Sequence, residues 1–174
     1  MKKYLKIIIP TLFIGAIVFM GYKVISKINY KKEVAEHIKT IPVFSYNTIS
    51  GKEFSNTDLK DEIPTVFLYF NSECEHCQNE AEQIRDNVEK FENVQLVFIS
   101  FEEPKKILDF ATKYKLLDYD KITFLCDSKV NFATTFDVNS MPTVVIYDKN
   151  KKLLEKIKGE VKIENILKKI NSNL

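Results

Sequence analysis

The sequence has little glycine, proline or cysteine, and it has no tryptophan. Its 174 residues include four Gly, five Pro and three Cys. So few glycines exclude a series of glycine-rich phosphate-binding loops, and three cysteines exclude a scaffold held together by many disulfides. The chain must therefore be stabilised by a hydrophobic core. Its 45% hydrophobic and 29% charged residues are typical of a globular domain rather than a disordered chain.

The sequence also lacks a basic stripe of the kind that binds nucleic acid. Arg85 is the single arginine, and the lysines are scattered among acidic residues. The formal net charge of +2 hides an asymmetry, because residues 1–29 contain five Lys and no acid, while residues 30–174 carry 21 basic and 24 acidic residues. The body of the protein is mildly acidic, so we predict no nucleic-acid partner.

A long apolar run lies near the N-terminus. Residues 7–22 (IIIPTLFIGAIVFMGY) are uncharged, and the run reaches Ile25 if Lys23 lies at a membrane interface. At about 1.5 Å per residue, a helix over residues 7–25 spans roughly 28 Å, close to the hydrocarbon thickness of a bilayer. Neither a small-residue cleavage pattern nor a cysteine for lipid attachment follows, which favours an uncleaved anchor over a signal peptide. We therefore predict one transmembrane anchor over residues 7–25.

Lysines flank the predicted anchor on both sides, so the positive-inside rule leaves its orientation open. Residues 1–6 form a short basic segment, and residues 26–40 are polar and read as a juxtamembrane helix or linker. The globular domain is predicted over residues 41–174.

Strand-like and helix-like segments alternate along this domain. Strands are predicted at residues 41–46, 65–70, 94–100, 122–126, 143–148 and 152–159, and helices at 73–91, 104–115, 128–136 and 162–171. The runs TVFLYF (65–70) and VQLVFIS (94–100) are almost continuously apolar, as strands buried on both faces should be. The pattern predicts an α/β fold with a central sheet and helices on both of its faces.

A Cys-x-x-Cys pair lies where the strand TVFLYF runs into the next helix. Cys74 and Cys77 are separated by Glu75 and His76. Ser72 and Glu75 fit a capping box, which would place Cys74 at the second helical position. Residues three apart on a helix have Cβ atoms about 5–6 Å apart, close enough for a disulfide to form after a small adjustment. We predict a redox-active pair.

The start of a helix separates the two sulfurs chemically. Unpaired backbone N–H groups and the positive end of the helix dipole favour the thiolate of Cys74, so we expect Cys74 to be exposed, to have a lowered pKa and to attack, while Cys77 resolves. His76 adds positive character and Glu75 opposes it, so both would tune the reduction potential without revealing its value.

Two other interpretations of the cysteine pair are open. A structural disulfide would close so short a loop that it would stabilise the fold little. A metal site on Cys74, His76 and Cys77 would need a fourth ligand, and the other histidine, His37, lies in the segment next to the predicted anchor.

The cysteine pair, the sequence Met141-Pro142-Thr143 before the strand TVVIYD, and Glu80 together carry a family resemblance. Residues 41–171 resemble the thioredoxin superfamily, and most of all its membrane-anchored thiol-disulfide oxidoreductases of the TlpA and ResA type. The resemblance implies a thioredoxin-like fold with a mixed sheet. It also implies a cis peptide bond at Pro142, with Met141 presenting its backbone to a bound substrate chain, and a functional glutamate at Glu80.

The chain departs from the family in two places. Glu73 stands where an aromatic residue usually precedes the first cysteine, and Leu68 stands where thioredoxins bury an acid. Because the usual proton acceptor for Cys77 is missing, we hypothesise that Glu80, one turn further along the helix, takes this role. The alternative is that Glu80 is a solvated surface carboxylate.

The resemblance also implies a location and partners. The catalytic domain would lie on the extracytoplasmic (periplasmic) side of the cytoplasmic membrane, held by a single pass. It would exchange disulfides with exported cysteine-containing proteins, apocytochrome c among them, and an integral membrane thiol carrier would supply electrons to a reductase. The redox-active disulfide Cys74–Cys77 would serve in place of any separate cofactor, with no metal.

Two rival functions use the same fold. In a copper-binding protein, the cysteine pair would hold Cu(I) through soft thiolates, although copper chaperones of this fold resemble C-x-x-x-C with a distant histidine, and this domain has neither. A thiol peroxidase is disfavoured because no Pro and Thr precede a single peroxidatic cysteine. Cys126, in the strand ITFLC, is predicted to be a buried small hydrophobe.

Overall fold

A computed structural model describes the backbone of residues 2–172 and the side chains of residues 13–172. The chain forms two compact units, the first ending at His37 and the second beginning at Ile38. The first unit consists of helix α1 (Lys2–His37), which contains the predicted anchor and most of the predicted linker. No helix in the described part of the chain is long and apolar enough to cross a membrane. Residues 7–12 of the predicted anchor lie outside the residues whose side chains are described.

The second unit contains seven strands and four α-helices within the described residues. The strands are β1 (Ser45–Thr48), β2 (Glu53–Ser55), β3 (Thr65–Tyr69), β4 (Gln95–Ser100), β5 (Ile122–Cys126), β6 (Thr143–Tyr147) and β7 (Leu153–Lys158). The helices are α2 (Glu75–Asp86), α3 (Pro104–Lys113), α4 (Asn131–Thr135) and α5 (Ile163–Asn171). Short 3-10 helices cover Asn56–Asp58 and Val88–Phe91.

All seven strands form one mixed sheet in the order β2-β1-β5-β4-β3-β6-β7. The central strands β3, β4 and β5 are parallel, whereas β6 runs antiparallel to β3, and β1 runs antiparallel to β5. Because β3 and β6 are antiparallel with Tyr69 opposite Thr143, the end of β3 lies beside the start of β6. This register places the residues that follow β3 next to those that precede β6.

The core lies on both faces of the sheet, as the apolar runs predicted. Every residue of β3, β4 and β6 is buried. Successive side chains of a strand point to opposite faces. Val66 and Leu68 therefore join the cluster that contains the apolar sides of α2, α3 and α5. Phe67 and Tyr69 point the other way and contact Phe132 of α4.

Most of the predicted elements are confirmed, and three differ. Strand β2 was not predicted, because its three residues are too few to show a period. The predicted strand at 41–46 begins only at Ser45, after Pro42 has restricted the backbone. The predicted helix at 73–91 is interrupted, because Asn87 has φ −125° and ends α2 before a 3-10 turn follows.

Candidate active site

The cysteine pair lies at the junction of β3 and α2, facing the segment before β6. The Met141–Pro142 peptide bond is cis, as the resemblance implies. The Cys74 thiol donates a hydrogen bond to the Met141 carbonyl oxygen at 3.7 Å, across 67 residues of sequence. The sheet register therefore brings together Cys74, Met141 and Pro142, three of the residues singled out in the sequence.

A buried carboxylate, Glu102, holds the loop that carries Cys74. The Ser72 amide and the Ser72 hydroxyl each donate to a Glu102 carboxylate oxygen at 2.7 Å. Lys106 lies 3.7 Å from Glu102 and 2.8 Å from Glu73, so it links the loop to α3. These contacts fix the backbone that enters the active-site helix.

The predicted capping box of Ser72 and Glu75 is wrong. The Ser72 side chain is engaged by Glu102, and Cys74 itself is the N-cap of α2, with an extended backbone and no side-chain cap bond. Cys74 therefore lies one step before the helix and not at its second position. The N-cap position lies beside the backbone N–H groups of the first turn, which have no partner within the helix.

The two cysteines have different environments. Both are free thiols. Cys74 was predicted to be exposed but is half-buried, and Cys77 is buried at 3% exposure. Burial raises the pKa of Cys77 above its ordinary value. The hydrogen bond and charge of Cys74 and the charge of Glu80 raise this pKa further, whereas a backbone hydrogen bond of Asn71 lowers it. The partly accessible sulfur can meet a substrate, and the buried one can only meet Cys74.

Glu80 is not the solvated carboxylate of the alternative interpretation. Its side chain is 2% exposed, and its Oε1 atom has no hydrogen-bond partner among the described residues. Burial raises its pKa to about 8, the nearby Glu160 carboxylate adds to this rise, and a backbone hydrogen bond of Val161 opposes it. A carboxyl group with such a pKa can both accept and donate a proton near neutral pH.

The two residues between the cysteines are exposed. Glu75 lies in the first turn of α2, where a negative charge suits the positive end of the helix dipole. The His76 imidazole Nδ1 lies 2.8 Å from a Glu160 carboxylate oxygen. His76 therefore pairs with Glu160 rather than with either sulfur.

An open groove of about 670 Å³ lies beside Cys74. Its lining is mostly apolar and comprises Tyr69, Cys74, Phe101, Val130, Ala133, Val138, Asn139, Ser140 and Met141. Phe101 and Val130 are 38% and 42% exposed. Such a groove can receive an extended chain whose cysteine reaches Cys74.

Val130 has an unusual backbone conformation for a β-branched residue. With φ 56° and ψ 30°, it is in the left-handed region, which is strained for valine. Its side chain nevertheless lines the groove. Strain retained at the edge of a site is consistent with a role for the apolar side chain in binding.

We expect the substitution Val130→Asn to raise the free energy of unfolding by about 0.5–1 kcal/mol, because asparagine tolerates the left-handed region. The same substitution should raise the KM for a disulfide-containing peptide, because it removes an apolar contact. Chemical denaturation and turnover kinetics check both effects. Val43→Asn, at an exposed site with no positive φ, is the control and should change neither quantity.

Cys126 is only partly buried, so the prediction of a buried position holds in part. Its thiol donates to the Glu102 carbonyl oxygen at 3.1 Å, and it packs against the core cluster. Within residues 13–172, no group of three or more His, Cys, Asp or Glu side chains is placed to hold a metal ion.

Sequence reasoning missed Glu102 and Glu160. Glu102 contacts a residue 30 positions away, and Glu160 contacts one 84 positions away. No motif marks either glutamate, and only their position two residues after a strand could have suggested that they lie at the carboxyl edge of the sheet.

Comparison with known proteins places this geometry among thioredoxin-like proteins. The model of the AhpC/TSA family matches residues 38–156. The chain is 28% identical over 172 residues to the thiol-disulfide oxidoreductase ResA of Bacillus thuringiensis subsp. konkukian, covering 95% of this chain and 94% of that protein.

Solved structures show the same fold. A putative thiol:disulfide interchange protein DsbE from Chlorobium tepidum superposes with a TM-score of 0.66 and 18% identity, covering 77% of this chain and 94% of that one. The peroxidoxin BcpB from Mycobacterium tuberculosis superposes with a TM-score of 0.67 and 20% identity, covering 78% and 96%. At these identities, the likeness establishes the fold alone.

Proposed function

The chain belongs to the AhpC/TSA family of thioredoxin-like proteins and is a thiol-disulfide oxidoreductase, and we propose that it reduces disulfides of exported proteins at the outer face of the cytoplasmic membrane. The observation that supports this direction of electron transfer, from the cysteine pair to the substrate, is the burial of Cys77. Desolvation disfavours the Cys77 thiolate, so it does not stabilise the reduced, dithiol form of the pair. A strongly oxidising cysteine pair is one in which the reduced form is stabilised. A buried, poorly ionised resolving thiol favours closure of the Cys74–Cys77 disulfide and therefore the donation of electrons.

The proposed reaction has two exchange steps. The Cys74 thiolate attacks one sulfur of the substrate disulfide; a Cys74–substrate bond forms, the substrate S–S bond breaks, and the other substrate sulfur leaves and takes a proton. Cys77 then loses its proton and attacks the Cys74 sulfur, which forms the Cys74–Cys77 disulfide and releases the second substrate thiol. Two electrons pass from the cysteine pair to the substrate.

Glu80 is the proposed proton partner of Cys77. Both groups are buried on α2, three positions apart, and the charge of Glu80 affects the pKa of Cys77. The Glu80 carboxylate accepts the proton when Cys77 attacks. The same proton returns when an incoming thiolate reopens the disulfide and Cys77 becomes the leaving group.

The substrate chain is proposed to lie in the groove beside Cys74. The Met141 backbone is proposed to pair with an extended segment of the substrate, and the support for this is that its carbonyl oxygen lies beside Cys74 and accepts a hydrogen bond from that thiol. The buried hydroxyls of Tyr69 and Ser140 have no hydrogen-bond partner among the described side chains, and both residues line the groove. Because both hydroxyl oxygens are closed off from solvent, the apolar side chains of the groove are the proposed contacts of the substrate chain.

The location and partners belong to the same proposal. The apolar run at residues 7–25 supports a single membrane anchor, and the alignment with the relative named ResA covers 95% of this chain. We propose exported cysteine-containing proteins, apocytochrome c among them, as substrates. A dithiol carrier within the membrane would return two electrons to the Cys74–Cys77 disulfide.

The reduction potential of the Cys74–Cys77 couple tests the direction. We expect a value of about −250 mV or lower when the full chain is equilibrated against defined thiol buffers, near the thioredoxin end of the scale. A value of about −120 to −180 mV would identify an oxidant or isomerase and overturn the proposal of a reductase. Cys126→Ser is the background for the measurement, since it leaves only the active pair.

A further inference from the structure

A second carboxylate, Glu160, lies over the stripe of α2 that carries Glu80. Its Oε2 atom is 2.8 Å from His76 Nδ1, and its Oε1 atom accepts a hydrogen bond from Gln83 Nε2 at 3.0 Å. His76, Glu80 and Gln83 follow one another at spacings of four and three, so they share one face of the helix. Glu160 therefore bridges the residues on either side of Glu80.

The turn that carries Glu160 is itself fixed to the active site. Gly159 has φ +80°, a conformation that favours glycine, and its amide donates to the Pro142 carbonyl oxygen at 2.8 Å. On the other side of Glu160, a backbone hydrogen bond of Val161 acts on Glu80. One short turn thus contacts the cis-proline segment, the helix and the buried glutamate.

These contacts contribute little to stability. The His76 side chain is 68% exposed and that of Glu160 is 30% exposed, so solvent screens the interaction between them. Their main effect is on charge placement, because two carboxylates close together oppose each other's ionisation. The groups that act on Glu80 are Cys77 on its own helix and Glu160 from the turn, and His76 faces Glu160.

We propose that Glu160, clamped by His76 and Gln83, is a positioning residue that holds on Glu80 the proton received from Cys77 for as long as the Cys74–Cys77 disulfide is closed. The proposal rests on the proposed function, in which Glu80 exchanges this proton with Cys77. The fixed negative charge disfavours premature ionisation of Glu80 toward solvent. Glu160 acts through Glu80 and touches neither cysteine nor substrate in this scheme.

The test is the titration of the Glu80 carboxyl group, followed by NMR in the full chain with labelled glutamate and assigned with Glu80→Gln. In Glu160→Gln, we expect the midpoint to move to lower pH, because a neighbouring negative charge is removed while the side chain keeps its length. Burial, the larger cause, should still hold the pKa above its ordinary value. Glu164→Gln, an exposed glutamate on α5, is the matched charge control and should leave the midpoint unchanged.

Gln83→Ala provides a second variant that alters no charge. It removes one of the two tethers of Glu160, so we expect a smaller shift in the same direction. An unchanged midpoint in Glu160→Gln, or an equal shift in Glu164→Gln, would overturn the role of Glu160. The titration is independent of turnover, so a failure of the proposed function appears separately, as exchange kinetics that do not respond to Glu80→Gln.

Discussion

Replacing Cys74 with serine is expected to reduce thiol-disulfide exchange to the uncatalysed rate. Cys74 is the half-buried sulfur at the N-cap of α2 and lines the groove, whereas Cys77 is buried behind it. Without the Cys74 thiolate, no accessible sulfur in the site can attack a substrate disulfide. Reduction of a disulfide-containing peptide, followed by its absorbance or fluorescence change, measures the loss.

The partner substitution Cys77→Ser should have a different outcome. Cys74 can still attack, but nothing resolves the product, so a stable mixed disulfide with the substrate should accumulate and be visible by mass spectrometry. Cys126→Ser is the control and should retain turnover, since Cys126 bonds to the Glu102 backbone away from the groove. Wild-type function in a Cys74→Ala, Cys77→Ala double variant would instead mean a non-catalytic binding role.

Glu80→Gln is expected to abolish a large pH dependence of stability. The pKa of Glu80 is raised to about 8 in the folded protein from an ordinary value of 4.5. Between these two values the folded state binds more protons than the unfolded state, so the free energy of unfolding falls as the pH rises and levels off above pH 8. The loss is on the order of 3–5 kcal/mol, and the glutamine variant should not show it.

Urea denaturation at several pH values between 4.5 and 9 measures this effect. The difference in unfolding free energy between Glu80→Gln and the wild type should grow in favour of the variant as the pH rises. Glu82→Gln, at an exposed position on the same helix, is the control and should track the wild type. Parallel stability curves for Glu80→Gln and the wild type would show that Glu80 ionises normally in the folded state.

The same substitution should slow the resolution of the mixed disulfide in kinetic experiments, because Cys77 loses its proposed proton acceptor. The two readouts are complementary. The stability curve reports the burial of Glu80, which is a property of the fold, and the kinetics report its proposed role.

Much of the fold and part of the site could be predicted from local sequence. The runs TVFLYF and VQLVFIS specify buried central strands because their apolar residues leave no face for solvent. Cys74 and Cys77 are recognisable because their spacing and position at a strand-to-helix junction are both local properties of the chain. Met141-Pro142 could be assigned a cis bond only through the family resemblance, and the bond is cis.

Predictions from local sequence failed where a side chain interacts with residues that are far away in the sequence. Ser72 and Glu75 have the spacing of a capping box, but the Ser72 hydroxyl is bound by Glu102, a charged acceptor that outweighs the local cap. Glu80 could be read as a surface residue because most glutamates are solvated. Its burial depends on how α2 packs against the sheet and α5.

The sequence by itself indicated the candidate cysteine pair, most of the strands and helices, and the apolar positions that form the core, since each depends on neighbours within a few residues. The tertiary structure alone decided the environment of the chemistry. It brought Met141 to Cys74, Glu102 to Ser72, and Glu160 to His76 across 30 to 84 residues. The physical reason is that pKa values and hydrogen bonds depend on distance and burial in space, which the pairing of β3 with β4 and β6, and of β6 with β7, fixes and local sequence does not.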